Sequence, residues 1–577
     1  MTRFLNKILS PLAGFCVALL LFTTPSQAQK LAPPYDIILK GGEVYDGTGS
    51  GPVKTDVAIR DGFIAEIGDL SDETAENIID ISAMTLTPGF IDLHSHADSA
   101  DEPGGLRSRN AHRRAAPNLV TQGITTVVVN QDGRSPIDIG RQYEYIQSQG
   151  IGLNAVLMVG HNTIRRAAMQ GADSYRRPVT PEELDRMKEL LTDGLKAGAY
   201  GMTAGLEYEP GIWSTTNELT ELVQEIAPYN GVYIVHERSS GLDPMWVLPS
   251  QDSPIQPTML ESIEETIQIS EATGVTAIAT HIKARGKLYW GKSKPIIEAI
   301  QKARDRGVKM YADQYPYTTS GSDGTIVLIP YWVMDRFKGD STDYRGGLIA
   351  ALQNAQWAAD LYEDVEHMIN RRGGADRIIV INHPNRSFIG KSLADLAKQR
   401  EIPAVHMAYL LQIEGYRSRY GGAILRGFSL NRDDVDAFAK QPWVATASDA
   451  GITLREDGLV HARYYGTYPR KIKDMVIDRK IVSMEQAIHS MTGLPAKILG
   501  FTNRGLIKEG YVADLTVLKL DEIRDRSTFF QPHQYADGVP HVLVNGTFVV
   551  EDYVLTFDLP GQIITPKSAN LLSTTDD

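Results

Sequence analysis

Eight short apolar runs recur through the middle of the chain, each closing on polar or small residues: GFIDLH, TTVVVN, NAVLMVG, YGMTAG, VYIVH, TAIATH, KMYADQ and WVATAS. Helical patterning lies between most of them, for instance from Pro181 to Ala197 and from Met259 to Thr273. Parallel strands need long crossovers, and a helix is the usual one, so eight strand-then-helix units predict an α/β fold built on a (β/α)8 TIM-like barrel. A charged, helix-like stretch between Met334 and Gly421, holding the extra run RIIVINH, reads as an insertion at about 334–421, ahead of the eighth strand.

The two ends are written differently. From Tyr35 to Ile81, Ile- and Val-rich runs are broken by Gly and Asp, and the style returns in GYVADLTVLKL, HVLVNGTFVV and YVLTFDL. Both read as short strands with tight turns. The expectation is one small β-sandwich domain assembled from 29–86 and 505–567, flanking a barrel at 87–504, with a polar tail at 568–577.

Residues 1–28 read as a signal peptide: Arg3 and Lys7 precede a largely apolar run from Ile8 to Phe22, and Ser26-Gln27-Ala28 offers small residues for cleavage. The run is short for a bilayer span, so the expectation is a periplasmic or secreted protein that starts near Gln29 and keeps no stable membrane insertion after cleavage. The single cysteine, Cys16, lies inside that segment. The chain beyond residue 28 therefore has no disulfide and no thiolate, which excludes thiol catalysis and leaves histidine and carboxylate as the metal ligands. A net charge of −13, more negative still without Arg3 and Lys7, argues against a nucleic-acid partner or an anionic membrane surface. Oligomeric state is not legible.

In a barrel the interior opens into an active-site face at the C-terminal ends of the strands. His94 and His96 end the first run, and alternation lets residues i and i+2 of a strand point to one metal. His236 ends the fifth run, His281 the sixth, and Asp449 the eighth. Singly, each is as well explained by a hydrogen-bonded structural role, or for Asp449 by a turn; together, at the ends of four strands, they point to a metal site. His112, His367, His406, His489, His533 and His541 sit in helical or terminal context and are read as structural.

The phrase TPGFIDLHSH after a β-rich start resembles the amidohydrolase superfamily, and further phrases narrow the resemblance to its D-aminoacylase (N-acyl-D-amino-acid deacylase) family. They are VGHNTIR at 159–165, GMTAGLEYEPG at 201–211, VHERSSG at 235–241, THIKARG at 280–286, DQYPYTTSGS at 313–322, ASDAG at 447–451, HARYYGTYPR at 461–470 and TGLPAKILGFTNRGLIKEGYVADLTV at 492–517. The resemblance covers nearly the whole chain after residue 28. It implies a zinc-dependent hydrolase, with one or two zinc ions, acting on a small N-acyl amino acid. His94, His96 and Asp449 would flank one metal position and His236 and His281 the other, with activated water as nucleophile and Asp449 as general base, returning the proton to the departing amine. It also implies that Lys283, Tyr315 and Arg463 grip the substrate's α-carboxylate. The family usually has a cysteine after the second strand, where VVVNQDGRS places Asp132; aspartate can serve as an oxygen ligand and can bridge two cations. The other reading of Asp132 is a turn residue before Gly133. His161 and Glu237 are left without a role.

Three other readings share these features. A cyclic-amide hydrolase would bridge its metals with a carbamylated lysine on the fourth strand, and the run from Tyr200 to Ala204 has no lysine; Lys196 falls in helix. A D-specific dipeptidase, taking a dipeptide substrate, would need an acidic group for the free amine, for which Glu237 is the one residue to hand. A non-catalytic binding protein on the same fold would tolerate the change at Asp132.

Overall fold

The computed structural model describes residues 34–566 apart from 99–103, 172–173, 254, 322–325 and 338–341. The signal peptide and the polar tail expected from the sequence lie outside the described residues. Among the described residues, no helix is long and apolar enough to cross a membrane.

The barrel strands are Phe90–Asp92, Ile124–Val128, Asn154–Val156 continued by Val159–Gly160, Gly201–Gly205, Val232–His236, Thr276–Ala279, Met310–Gln314 and Val444–Thr446. Successive members pair in parallel, from Phe90↔Ile124 round to Gln314↔Thr446. The eighth closes on the first just past their ends: the Asp449 N–H donates to the His94 carbonyl at 2.9 Å, and Ala450 and Gly451 run beside Ser95 and His96. Beneath that seam the Ser448 N–H and hydroxyl both donate to the buried Asp92 carboxylate, the N–H at 2.8 Å. Burial pushes Asp92 up to about 7 against these hydrogen bonds.

Local chemistry sets the helices between the strands. Thr180 and Thr258 each cap a helix, Pro181–Lys196 and Met259–Thr273, in reciprocal hydrogen bonding with Glu183 and Glu261. The fourth and fifth strands approach so closely at Gly201 that a Cβ there would lie 1.9 Å from the Val232 carbonyl oxygen, so only glycine fits. The third strand is split. Its first half pairs with the second strand and with Ile563–Ile564 from the end of the chain, and its second half pairs with the fourth. The C-terminal segment therefore serves the barrel as well as the small domain.

As expected, the two ends of the chain build one small β domain, its strands joined in a continuous nine-stranded sheet. It folds around a core that includes Leu39, Val57, Ile59, Leu515 and Leu543, and Phe63 at its edge bridges Val512 just ahead of Leu515–Leu518. The stretch before the eighth strand forms its own hydrophobic cluster from Ile326 to Leu425, around helices and the antiparallel strand pair Ile378–Asn382 with Ile424–Gly427. That is wider than the charged pattern suggests, because Ile326, Leu328 and Ile329 carry no helical period.

Barrel and small domain are joined by a polar knot. Asp514 accepts from the Asn545 N–H at 2.8 Å and from the Asn154 amide at 3.1 Å, and pairs with Arg504; the Asn545 amide donates to Asn154 at 2.9 Å. Removing one member of a buried pair strands the other. Asp514→Ala should cost about 3 kcal/mol of stability, seen as a lowered urea midpoint; an unchanged midpoint would show that the knot is not what holds the two parts.

Candidate active site

Alternation decides which strand residues reach the barrel mouth. On the fifth strand Val232 and Ile234 belong to the interior cluster while Tyr233 and Val235 pack outward, so His236 is the next residue in the inward file. On the sixth, Ile278 is interior and Thr280 follows it in register. Thr280 donates its hydroxyl to Asp313 at 2.8 Å and lies 2.6 Å from His94 Nδ1, so its oxygen accepts the Nδ1–H and leaves Nε2 of His94 as the lone-pair nitrogen. Asp313 also accepts the His281 N–H at 2.6 Å.

Asp132, His281 and Asp449 have positive φ angles of 56°, 37° and 50°. Side-chain-bearing residues adopt that conformation at a cost of about 1 kcal/mol or more. Asp132 is thus a turn residue and a member of the site at once, since the turn aims its carboxylate at the histidines. One oxygen, Oδ1, lies 3.3 Å from His236 Nδ1 and 3.7 Å from both His94 Nε2 and His281 Nε2; the other lies 3.6 Å from His96 Nε2. Asp449 Oδ1 is 3.1 Å from His96 Nε2 and 3.6 Å from His94 Nε2.

These contacts suit a cation better than they suit one another. Ligands about 2.0–2.2 Å from a tetrahedral zinc stand roughly 3.3–3.6 Å apart, and the separations here run from 3.1 to 3.7 Å. His94, His96 and Asp449 form one set of mutually close donor atoms, and His94, Asp132 and His281 another. Asp132 Oδ1 is buried without a hydrogen-bond partner, a costly state for a carboxylate oxygen unless a cation takes it. Burial raises the Asp132 and Asp449 carboxyls, but the imidazoles around Asp132, and Arg463 with the histidines around Asp449, outweigh it and hold both well below the usual range. Burial, with Lys283, lowers His281 to about 4, and burial holds His94 well below the usual imidazole value, so both rings are neutral.

On its open side the cluster faces a cavity that Lys283 and Tyr315 also line, with Tyr208, Met245 and Ile326 in its wall. Lys283 Nζ lies 2.6 Å from His281 Nδ1, and the Tyr315 hydroxyl is buried without a partner. Arg463 stands behind that surface: it is fully buried, its Nη1 is 2.8 Å from Asp449 Oδ2, and its guanidinium lies over the Tyr315 ring at 4.7 Å. The structure therefore places Arg463 first of all on Asp449.

His161 is drawn away from the site, 2.9 Å from Glu218 on the outer helix Thr216–Ile226. Glu237 is buried but does not line the cavity, and burial pushes its carboxyl up, against the effect of Lys283. An acid that does not line the cavity does not supply the amine partner a dipeptidase needs there. The fourth strand carries no lysine, and Lys196 ends the helix Pro181–Lys196. Elsewhere His112 stacks on Phe557, His489 Nδ1 lies 2.9 Å from the Gly47 carbonyl, and His541 lies 3.4 Å from Asp552. Sequence reasoning passed over Asp92, Glu207, Thr280 and Asp313; the available signal was a polar residue within or just beyond a fully buried apolar run.

A family model described as Amidohydrolase family matches residues 355–550, downstream of the four histidines. The D-aminoacylase of Alcaligenes xylosoxydans xylosoxydans is 27% identical over 568 residues, covering 94% of this chain and 100% of that one. The crystal structure of N-acyl-D-glutamate deacylase from Bordetella bronchiseptica, solved with zinc and a phosphonate mimic of the tetrahedral intermediate, has a TM-score of 0.70 at 26% identity, over 92% of this chain and 99% of that one. A crystal structure of D-aminoacylase gives 0.69 at 28% identity over 92% of this chain and 100% of that chain. End-to-end likeness in sequence and in structure agrees with the ordered phrases along the chain: over nearly its whole length it is similar to D-aminoacylases and N-acyl-D-amino-acid deacylases of the amidohydrolase superfamily.

Proposed function

We propose that this protein hydrolyses the amide bond of N-acyl-D-amino acids, using one or two zinc ions held by His94, His96, Asp132, His236, His281 and Asp449. The observation that carries the reading is the partnerless Asp132 oxygen facing His94, His236 and His281 at 3.3–3.7 Å, in a fold shared with deacylases of such substrates. When bound, the divalent cation supplies Lewis acidity, lowering the pKa of water and polarising the scissile carbonyl.

The chain's own groups do the rest. Asp449, on the cavity and ionised, accepts the proton of the attacking water at its carboxylate and returns it to the departing amine nitrogen. Thr280 and Asp313 keep His94 and His281 in orientation. Lys283 and the Tyr315 hydroxyl face the cavity as donors for the α-carboxylate, with the Arg463 charge 2.8 Å behind Asp449. Binding a carboxylate requires Lys283 to turn from His281 toward the cavity.

The test is hydrolysis of paired N-acetyl-D- and N-acetyl-L-amino acids by protein of measured metal content. Turnover of the D-form is expected, lost on chelation and restored by zinc, with kcat lowered about 10²–10⁴-fold in Asp449→Asn. Lys283→Met should raise KM with a smaller change in kcat. A folded, zinc-loaded protein that cleaves neither form would sink the reading.

Export is proposed from the sequence alone, on Arg3, Lys7, the apolar run Ile8 to Phe22 and Ser26-Gln27-Ala28. Intact-mass measurement of protein recovered from outside the cytoplasm should give a chain starting near Gln29; one still starting at Met1 would contradict it.

A further inference from the structure

Glu207 lies two residues past the fourth strand, Gly201–Gly205, and its side chain is 2% exposed. Its Oε2 is 3.0 Å from His236 Nε2. Its Oε1 accepts the Met245 N–H at 2.8 Å and meets Arg285 Nη2 at 3.0 Å. A carboxylate has no proton to give, so the hydrogen between Glu207 and His236 sits on Nε2, and a ring that binds a metal, giving up any second proton, offers its lone pair at Nδ1. Nδ1 is the nitrogen that faces Asp132 at 3.3 Å and His281 Nε2 at 2.9 Å.

We propose that Glu207 is a positioning residue that fixes the tautomer and plane of His236 so that Nδ1 is presented to the metal, and that the inserted unit holds Glu207 in place. This rests on the metal-site reading above. Arg285 Nε donates to Ser240 at 2.9 Å and its Nη2 to the Asp243 carbonyl at 3.1 Å. Asp243 in turn lies 3.3 Å from both Arg371 and His367, on the inserted helix Ala355–Arg371. Arg371 donates to the carbonyls of Met245 and Val247, and Asp364 of the same helix accepts from the Ser250 N–H at 3.0 Å and hydroxyl at 2.7 Å. The segment from Asp243 to Ser250 is thus tied to the insertion on one side and, through the Met245 amide, to Glu207 on the other. Ligand, carboxylate, cavity wall and insertion form one connected network, and its most consequential link is the single hydrogen bond to His236.

A carboxylate behind a ligating imidazole fixes its orientation and raises its basicity, and losing such a partner weakens metal binding about 10–100-fold. The test is titration of the metal-free full-length protein with zinc in competition with a chromophoric chelator, for wild type, Glu207→Gln and Glu207→Leu. Glu207→Gln retains an acceptor for Nε2–H without the charge and should bind zinc about tenfold more weakly; Glu207→Leu, with neither, should fall toward 100-fold. Melting of the metal-free proteins reports separately on packing: Glu207→Gln also leaves the buried Arg285 without its carboxylate and should melt lower, so zinc affinity is compared at a temperature where both proteins are folded. Wild-type uptake matched by equal uptake in a folded Glu207→Gln would overturn the inference alone. No uptake by wild type would overturn it together with the metal-site reading.

Discussion

Four imidazoles and two carboxylates meet at one end of the barrel, nearly all out of water, and their mutual contacts leave Asp132 Oδ1 without a hydrogen-bond partner. Their closest approaches, 3.1–3.7 Å between each carboxylate and the rings around it, hold them as neighbours round a common centre. Two ionised groups in such a place are tolerable only with positive charge among them. Arg463 supplies part of it to Asp449 from behind. Among the described residues, Asp132 is paired with the four rings alone, and the demand for a cation is sharpest there.

The fold meets this demand by placing groups on rigid strand ends and bending the backbone just beyond them. His236 needs no bend, because it continues the file of Val232 and Ile234. Asp132, His281 and Asp449 do, and each sits in the left-handed region. A single such residue is a modest cost; three converging on one point are conformations the surrounding structure must hold, as at sites where geometry serves chemistry. At Asp132 the turn is fixed by Gly133, whose own φ is 72° and whose added Cβ would fall 2.1 Å from the Asn162 side chain. The seam between first and eighth strands, where the Asp449 N–H donates to the His94 carbonyl, brings together the two segments of the cluster most distant in sequence.

Much of this was legible in the sequence because a polar residue that closes an apolar barrel strand falls at the active-site end. Once GFIDLHSH, VYIVH and TAIATH read as barrel strands, His94, His96, His236 and His281 lie at their C-terminal ends, although alternation by itself aims only His236, the successor of Val232 and Ile234, since Ile278 and Thr280 hold the inward file of the sixth strand. Glu207, by contrast, lies past the end of its strand, where alternation no longer predicts direction, and its role depends on a residue 29 positions away. The pairing of Ile563–Ile564 with Ala155 and Val156 was equally hidden, since two residues carry no period. Arg463 was read as a carboxylate grip from its phrase; the burial that couples it to Asp449 is a property of packing alone. The inserted unit's apolar start at Ile326 precedes any helical pattern, so its charged middle defined it too narrowly.

The central claim is that Asp132 stands in the metal site as a ligand. Anomalous diffraction at the zinc edge from zinc-loaded crystals tests it most directly. The account predicts one or two peaks, each within about 2.2 Å of its ligand atoms, with an Asp132 oxygen among them alongside the histidines and Asp449. A zinc peak that leaves Asp132 uncoordinated, or no peak among these residues at full loading, would contradict it.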